Sequence, residues 1–182
     1  KLIPLDELNL YLSSDKLLTV LLDKDGRVHT PPIPTDRDYH VKRPTPKFFD
    51  DSCNEFWWVS TYVAKGLCRN EILYAAEHLN LYVRPNLLRM LAWKVGLENG
   101  FSLSVGKSYK YLDKYLSIDL WDRLMVTYRN SSCEEMWQAL FACQDLFRET
   151  AGYVAEMLGY TYPDYDGKVT TYLKKLFEDR TQ

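Results

Sequence analysis

An acid, two aromatic rings and a base recur at helical spacing within residues 54–68, NEFWWVSTYVAKGLC. Glu55, Trp58, Tyr62, Lys65 and the following Arg69 stand 3, 4, 3 and 4 residues apart, so a helix carries them as one continuous stripe. That stripe suits a polar, cationic ligand. A carboxylate pairs with an ammonium or guanidinium, aromatic faces attract cations, and the basic end can hold phosphate oxygens. Glu55 and Lys65 lie about 15 Å apart along a helix axis, too far to pair with each other. Each needs another partner, in a ligand or on a neighbouring helix, and the sequence leaves both open. Phe56, Val59, Val63 and Leu67 form a second, apolar stripe. Glu55 and Lys65 are the only charges of the segment, so it is expected to be buried nearly all round.

A second candidate is VGKSYKYLDKYL, residues 105–116. Gly106 and Lys107 precede Lys110 and Lys114, with Tyr109, Tyr111 and Tyr115 interleaved. A glycine turn with lysines at a helix start can receive phosphate, although the P-loop spacing is absent. A solvated lysine face over a tyrosine core explains the same pattern. Arg84 and Arg89 flank a helix start and are expected to form salt bridges. Asp164 and Asp166, in YPDYD, are expected to cap the last helix. Asp23-Lys24-Asp25 has the Asp-x-Asp form that can hold two magnesium ions, but Gly26 follows directly and no Gly-Ser loop precedes it. It reads as a turn.

These residues need elements to position them. Leu5 to Ser13 has helical spacing, and Leu2–Ile3 and Leu17 to Leu22 (LLTVLL) read as strands, the latter closed by DKDG. Five prolines between positions 31 and 46 then make an extended connector. From Asp50 onward the signals are helical. Asp51 or Ser52 is expected to cap the first helix, which ends near Gly66; Asn70 caps EILYAAEHLNLY, and Pro85 opens the next helix, which stops at Gly100. A short helix is expected around Tyr111–Leu116 and another from Ser117. Ser132 with Glu135 forms a capping-box pattern for a long helix, and KVTTYLKKLFEDR makes the last one. The class is mainly α. Residues 1–46 form an edge segment with its linker, and residues 47–182 form a helical bundle-like domain.

Composition closes several alternatives. The chain has 182 residues and a net charge of −2, which gives no electrostatic case for nucleic acid or an anionic membrane. No apolar run reaches the ~18 residues of a membrane span, and no signal-like segment opens the chain. Cys53, Cys68, Cys133 and Cys143 lack CxxC spacing and read as reduced, mostly packed thiols of a cytoplasmic protein. His29, His40 and His78 share no zinc-ligand spacing with them. The chain opens KLIP without an initiator Met, so it is expected to be a piece of a longer protein.

CNEFWWVSTYVAKGLCRNEILYAAEHLN, RPNLLRMLAWKVG and GKSYKYLDKYL, with the upstream LLDKDG and RPTPKFFDDSCNEFW and the late YPDYD, resemble the aminoglycoside 6-adenylyltransferases, the streptomycin adenylyltransferase group. The resemblance spans essentially the whole chain. It implies a two-domain enzyme, α/β nucleotidyltransferase followed by helical domain, that transfers AMP from ATP to a hydroxyl of streptomycin. Three carboxylates of the first domain would hold Mg2+, two of them in a Gly-Ser…Asp-x-Asp block. This sequence has no such block, so residues 1–46 correspond to the trailing edge of that domain, and the chain alone is expected to hold no metal and to be inactive. By the resemblance, Glu55, Trp58 and Tyr62 face the guanidinium-bearing antibiotic, and Lys65, with Lys107 or Lys110, faces the ATP phosphates. No catalytic residue is assigned here. The alternative is a non-catalytic helical module that binds an aminoglycoside or self-associates, and residues 1–46 are the expected self-association segment because their strands lack sheet partners.

Overall fold

The computed structural model describes residues 2–180. Among them the α-helices are α1 (Leu8–Ser13), α2 (Pro46–Cys68), α3 (Ile72–His78), α4 (Arg84–Glu98), α5 (Ile118–Val126), α6 (Cys133–Leu158) and α7 (Asp166–Asp179). The described residues contain no strand, and the chain is mainly α as the sequence predicts. The strands expected at Leu2–Ile3 and Leu17 to Leu22 do not form: their backbones find no ladder partner, and a six-residue apolar run cannot make a strand alone.

α2 begins earlier than Asp51 or Ser52. Thr45 accepts the Phe48 backbone N–H through its hydroxyl at 3.2 Å, and Pro46 occupies the first turn, where its missing N–H costs nothing. Asn70 is likewise not a cap; it adopts φ +57° in the turn between α2 and α3, and Glu71 precedes α3. That turn is tight because Gly66 lets the helices approach. A Cβ there would stand 2.9 Å from the Tyr74 ring and 3.2 Å from the Ala75 backbone nitrogen. Nor does the chain break before Pro85. α3 runs into α4 through a π-helical segment, Leu79–Val83, in which the Arg84 N–H reaches back to the Leu79 carbonyl. Pro85 cannot donate and crowds the preceding turn, and the widened turn absorbs both effects.

The later boundaries follow their signals. Ser117 caps α5 by accepting the Leu120 N–H. Ser132 caps α6 by accepting the Glu135 N–H, but the Glu135 carboxylate returns to the Ser131 N–H, one residue before the expected partner. The 111–116 segment makes only a 3-10 turn, Leu112–Lys114.

α2 packs against α3, α4, α6 and α7, and α4 and α5 close on α6. At the centre Phe56 stacks on Phe147, ring centroids 3.7 Å apart and planes within 5°, with Trp57 edge-on to both. Burying each such ring contributes about 1.5–3 kcal/mol. α1 lies apart, packed chiefly on the 3-10 turn before it. No helix among the described residues is long and apolar enough to cross a membrane.

Candidate functional site

The α2 wheel divides as its two stripes require, but not as its low charge suggests. Phe56, Val59, Val63 and Leu67 are buried against the bundle. The other stripe faces outward: Trp58 is 57% exposed, Lys65 and Arg69 are exposed, and Glu55 and Tyr62 are partly buried. The expectation of burial nearly all round is therefore wrong. Trp58 and Tyr62 are large rings on an open face, where a charge count mistakes aromatic surface for core.

Three of the predicted residues come together. Glu55, Trp58 and Tyr62 border a hollow of about 200 Å³ completed by Val59, His78 and Tyr82. Its rings form a connected wall: Trp58 meets Tyr62 at 5.8 Å, Tyr62 meets His78 at 5.8 Å, and His78 meets Tyr82 at 5.7 Å between centroids. A ring nitrogen of His78, Nδ1, lies 2.8 Å from the Tyr74 carbonyl and fixes the imidazole. The Glu55 carboxylate has no hydrogen bond or ion pair among the described residues. It also borders an adjoining hollow of about 230 Å³ with Asp51, Tyr82, Asn86 and Arg89. An acid beside the ring-walled recess attracts a cation through charge and ring quadrupole together. His78 and Tyr82 had a signal in the sequence: with Tyr74 they repeat at four-residue spacing, a ring ladder on one helix face.

The lysines are not brought together. Lys65 stands 5.8 Å from the Tyr62 ring and borders a separate hollow of about 390 Å³ with Arg69 and Tyr172. Lys110 borders another, of about 400 Å³, under the Ser108–Asp113 loop. Lys107 is exposed at the start of a 3-10 turn, Lys107–Tyr109.

The arginines and aspartates differ from expectation. Neither Arg84 nor Arg89 forms a salt bridge among the described residues. Buried Arg84 donates to the Thr127 carbonyl and hydroxyl and to Asn80, beneath the Tyr128 ring, and burial pushes its guanidinium below the usual value. Arg89 donates to Asn86 at 2.6 Å and Ser52 at 3.2 Å. Carbonyls and amides replace carboxylates because the surrounding helices present their ends and polar faces there. Asp166 does not cap α7; it is held bidentately by Arg148. Asp23 accepts the Arg27 and Val28 N–H groups at 3.1 and 2.8 Å, the turn expected of DKDG. No group of three His, Cys, Asp or Glu side chains among the described residues is arranged to hold a metal ion.

Comparison with known proteins agrees with this sequence and fold. The profile of the streptomycin adenylyltransferase family matches residues 1–176. The chain is 51% identical over 172 residues to an aminoglycoside 6-adenylyltransferase of Campylobacter jejuni, covering 94% of this chain and 60% of that protein. It is 51% identical over 177 residues to the Bacillus subtilis (strain 168) protein of the same name, covering 97% and 62%. The Staphylococcus aureus protein of that name is 41% identical over 179 residues, covering 98% and 64%. A crystal structure of an aminoglycoside 6-adenyltransferase from Bacillus subtilis superposes with a TM-score of 0.71 at 45% identity, covering 96% of this chain and 64% of that one. The chain thus spans less than two thirds of the length of these relatives. On the profile match and these identities, the chain belongs to the streptomycin adenylyltransferase family.

Proposed function

We propose that the chain is the C-terminal part of an aminoglycoside 6-adenylyltransferase, an enzyme that transfers AMP from ATP to a streptomycin hydroxyl and releases pyrophosphate in the cytoplasm. In this reading residues 1–46 are the trailing edge of an α/β nucleotidyltransferase domain with its linker, and residues 47–182 are the substrate-binding domain. The observation that carries it is the Glu55 carboxylate, partly buried, unpaired among the described residues and walled by Trp58, Tyr62, His78 and Tyr82. Streptomycin bears guanidinium groups, and a charge-assisted hydrogen bond to one contributes about 1.5–3 kcal/mol. The ring wall excludes water from one side of that bond and strengthens it. Lys65, Lys107 and Lys110 are the candidates for the ATP phosphates, and their separate positions mean that they do not all serve one phosphate group.

The family's use of ATP with a divalent metal calls for clustered carboxylates, and the described residues of this chain do not fit that requirement. No step is therefore assigned to a metal here, and the 182 residues alone are expected not to transfer AMP. Their part is to bind and orient. The test is calorimetric titration of the chain with streptomycin, followed by incubation with streptomycin, ATP and magnesium. Binding is expected to weaken roughly 10- to 100-fold in Glu55→Gln, the loss of one charge-assisted bond. Equal binding by Glu55→Gln would refute the site, and AMP-streptomycin formed at enzymatic rates would refute the inactivity.

The second reading is a non-catalytic module that binds an aminoglycoside or self-associates. What favours it is the apolar surface of the N-terminal segment, where Leu21 is 92% and Ile33 90% exposed.

A further inference from the structure

The 400 Å³ hollow beside Lys110 lies within the range of about 300–1,000 Å³ typical of small-molecule sites. Leu88 of α4 and Leu112 and Leu124 form its apolar side, and Tyr109, Trp121 and Tyr128 supply three aromatic rings. The Tyr109 hydroxyl, Trp121 indole N–H and Tyr128 hydroxyl have no hydrogen-bond partner among the described residues. Ring faces and polar handles are thus both available to a ligand. The wall is held at a cost. Ser108 (φ +56°) and Tyr109 (φ +62°) adopt the left-handed region in succession after Gly106 (φ +75°), a conformation that side-chain-bearing residues rarely adopt. The guanidinium of Arg84 lies 4.1 Å from the Tyr128 ring centroid and supports that ring from within the protein.

We infer that this hollow receives the purine base of the nucleotide, with Lys110 at its rim on the phosphate side. The inference rests on the adenylyltransferase reading, which supplies two kinds of ligand. Streptomycin has no aromatic ring and meets ring faces only through its guanidinium groups, whereas a purine stacks on them with its whole face. The hollow also shares a helix with the recess that Glu55 borders. α4 carries Leu88 into the hollow and, from positions within the same turn, sends Pro85, Asn86 and Arg89 into that recess. The base and the cationic antibiotic then flank a single helix.

Met125 also lines the hollow and gives a direct readout. The chain, labelled with ¹³C at its methionine methyl groups, is titrated with adenosine, AMP and ribose 5-phosphate, and the Met125 signal is identified by its loss in Met125→Leu. Adenosine and AMP are expected to move that signal by ring current and to saturate below about 10 mM, whereas ribose 5-phosphate leaves it in place. Lys110→Ala weakens AMP at least threefold more than adenosine. A Met125 signal that adenosine does not move, or that ribose 5-phosphate moves equally, overturns the assignment. Leu88→Trp, which fills the hollow from α4, should weaken adenosine at least tenfold, and unchanged affinity in the folded variant likewise overturns it. Because the ligand series uses the unaltered chain, the assignment stays testable if that variant does not fold. Streptomycin heat with an adenosine-silent Met125 removes the purine slot and leaves the adenylyltransferase reading. A moved Met125 without streptomycin binding removes the antibiotic site and keeps the slot.

Discussion

Asp166 opens α7, yet its carboxylate turns inward to Arg148, with the Tyr162 hydroxyl donating at 2.9 Å and the Thr170 hydroxyl at 3.2 Å. Burial disfavours its charge, but these donors outweigh burial and hold the carboxyl below the ordinary value. A carboxyl lowered in the folded state stabilises above its unfolded value of about 3.9, and that stability is lost as pH falls through the folded value. Asp166→Asn should therefore cost about 2 kcal/mol in urea denaturation at pH 7 and much less near pH 3, a modest cost because Arg148 is partly exposed. Equal cost at both pH values would show that the pair does not govern acid stability. The four thiols make a second residue-scale test. Burial pushes Cys53 up to about 12 and Cys143 to about 11, whereas Cys68 is exposed. A disulfide reagent at pH 8 should modify Cys68 first and leave Cys53 and Cys143 intact until denaturant is added. The residue types at the candidate site were legible in the sequence, since Glu55, Trp58 and Tyr62 share one stripe. The pairings of Arg84, Arg89 and Asp166 were not, because buried polar groups take whichever partner the packing brings within reach.

At the scale of elements, α2 carries both the core and the candidate site, and its ends decide their register. Thr45→Ala removes the hydroxyl that accepts the Phe48 N–H and should cost about 1 kcal/mol without moving the core. Phe56→Ala deletes a ring stacked within 3.7 Å of Phe147 and should cost about 3–5 kcal/mol. Thermal unfolding of the two variants separates them, and similar costs would mean that the first turn matters more than the stack. Caps at Ser117 and Ser132 could be read from sequence because they depend on one local hydroxyl. The π-helical join was illegible. Pro85 signals a helix start, and only the packing of α3 and α4 against α2 and α6 favours a widened turn over a break. That turn sets the course of the chain between His78 and Tyr82, both beside Glu55.

For the whole molecule, the described N-terminal segment is the exception to good packing. Its hollow of about 540 Å³ is lined only by residues of its own between positions 3 and 28, and Leu2, Leu21, Leu22 and Ile33 are among its exposed side chains. An exposed apolar surface of this kind favours association. Sedimentation of the chain at rising concentration should give a mass above that of one copy, and Leu21→Asp with Leu22→Asp should restore the single-copy mass. A concentration-independent single-copy mass in the unaltered chain would refute self-association through this segment.

The sequence by itself determined the mainly α class, the presence of α2, α6 and α7 though not the first residues of α2 and α7, and the stripe that joins Glu55 to Tyr62, because helical period is a local property of the chain. It could not determine whether LLTVLL is a strand, which depends on a partner strand, nor whether Glu55 stays unpaired, which depends on what other helices bring to it. Only the tertiary structure gathered His78 and Tyr82 beside Glu55 and separated Lys65 from Lys110. A hollow is a relation between elements, and no single segment encodes it.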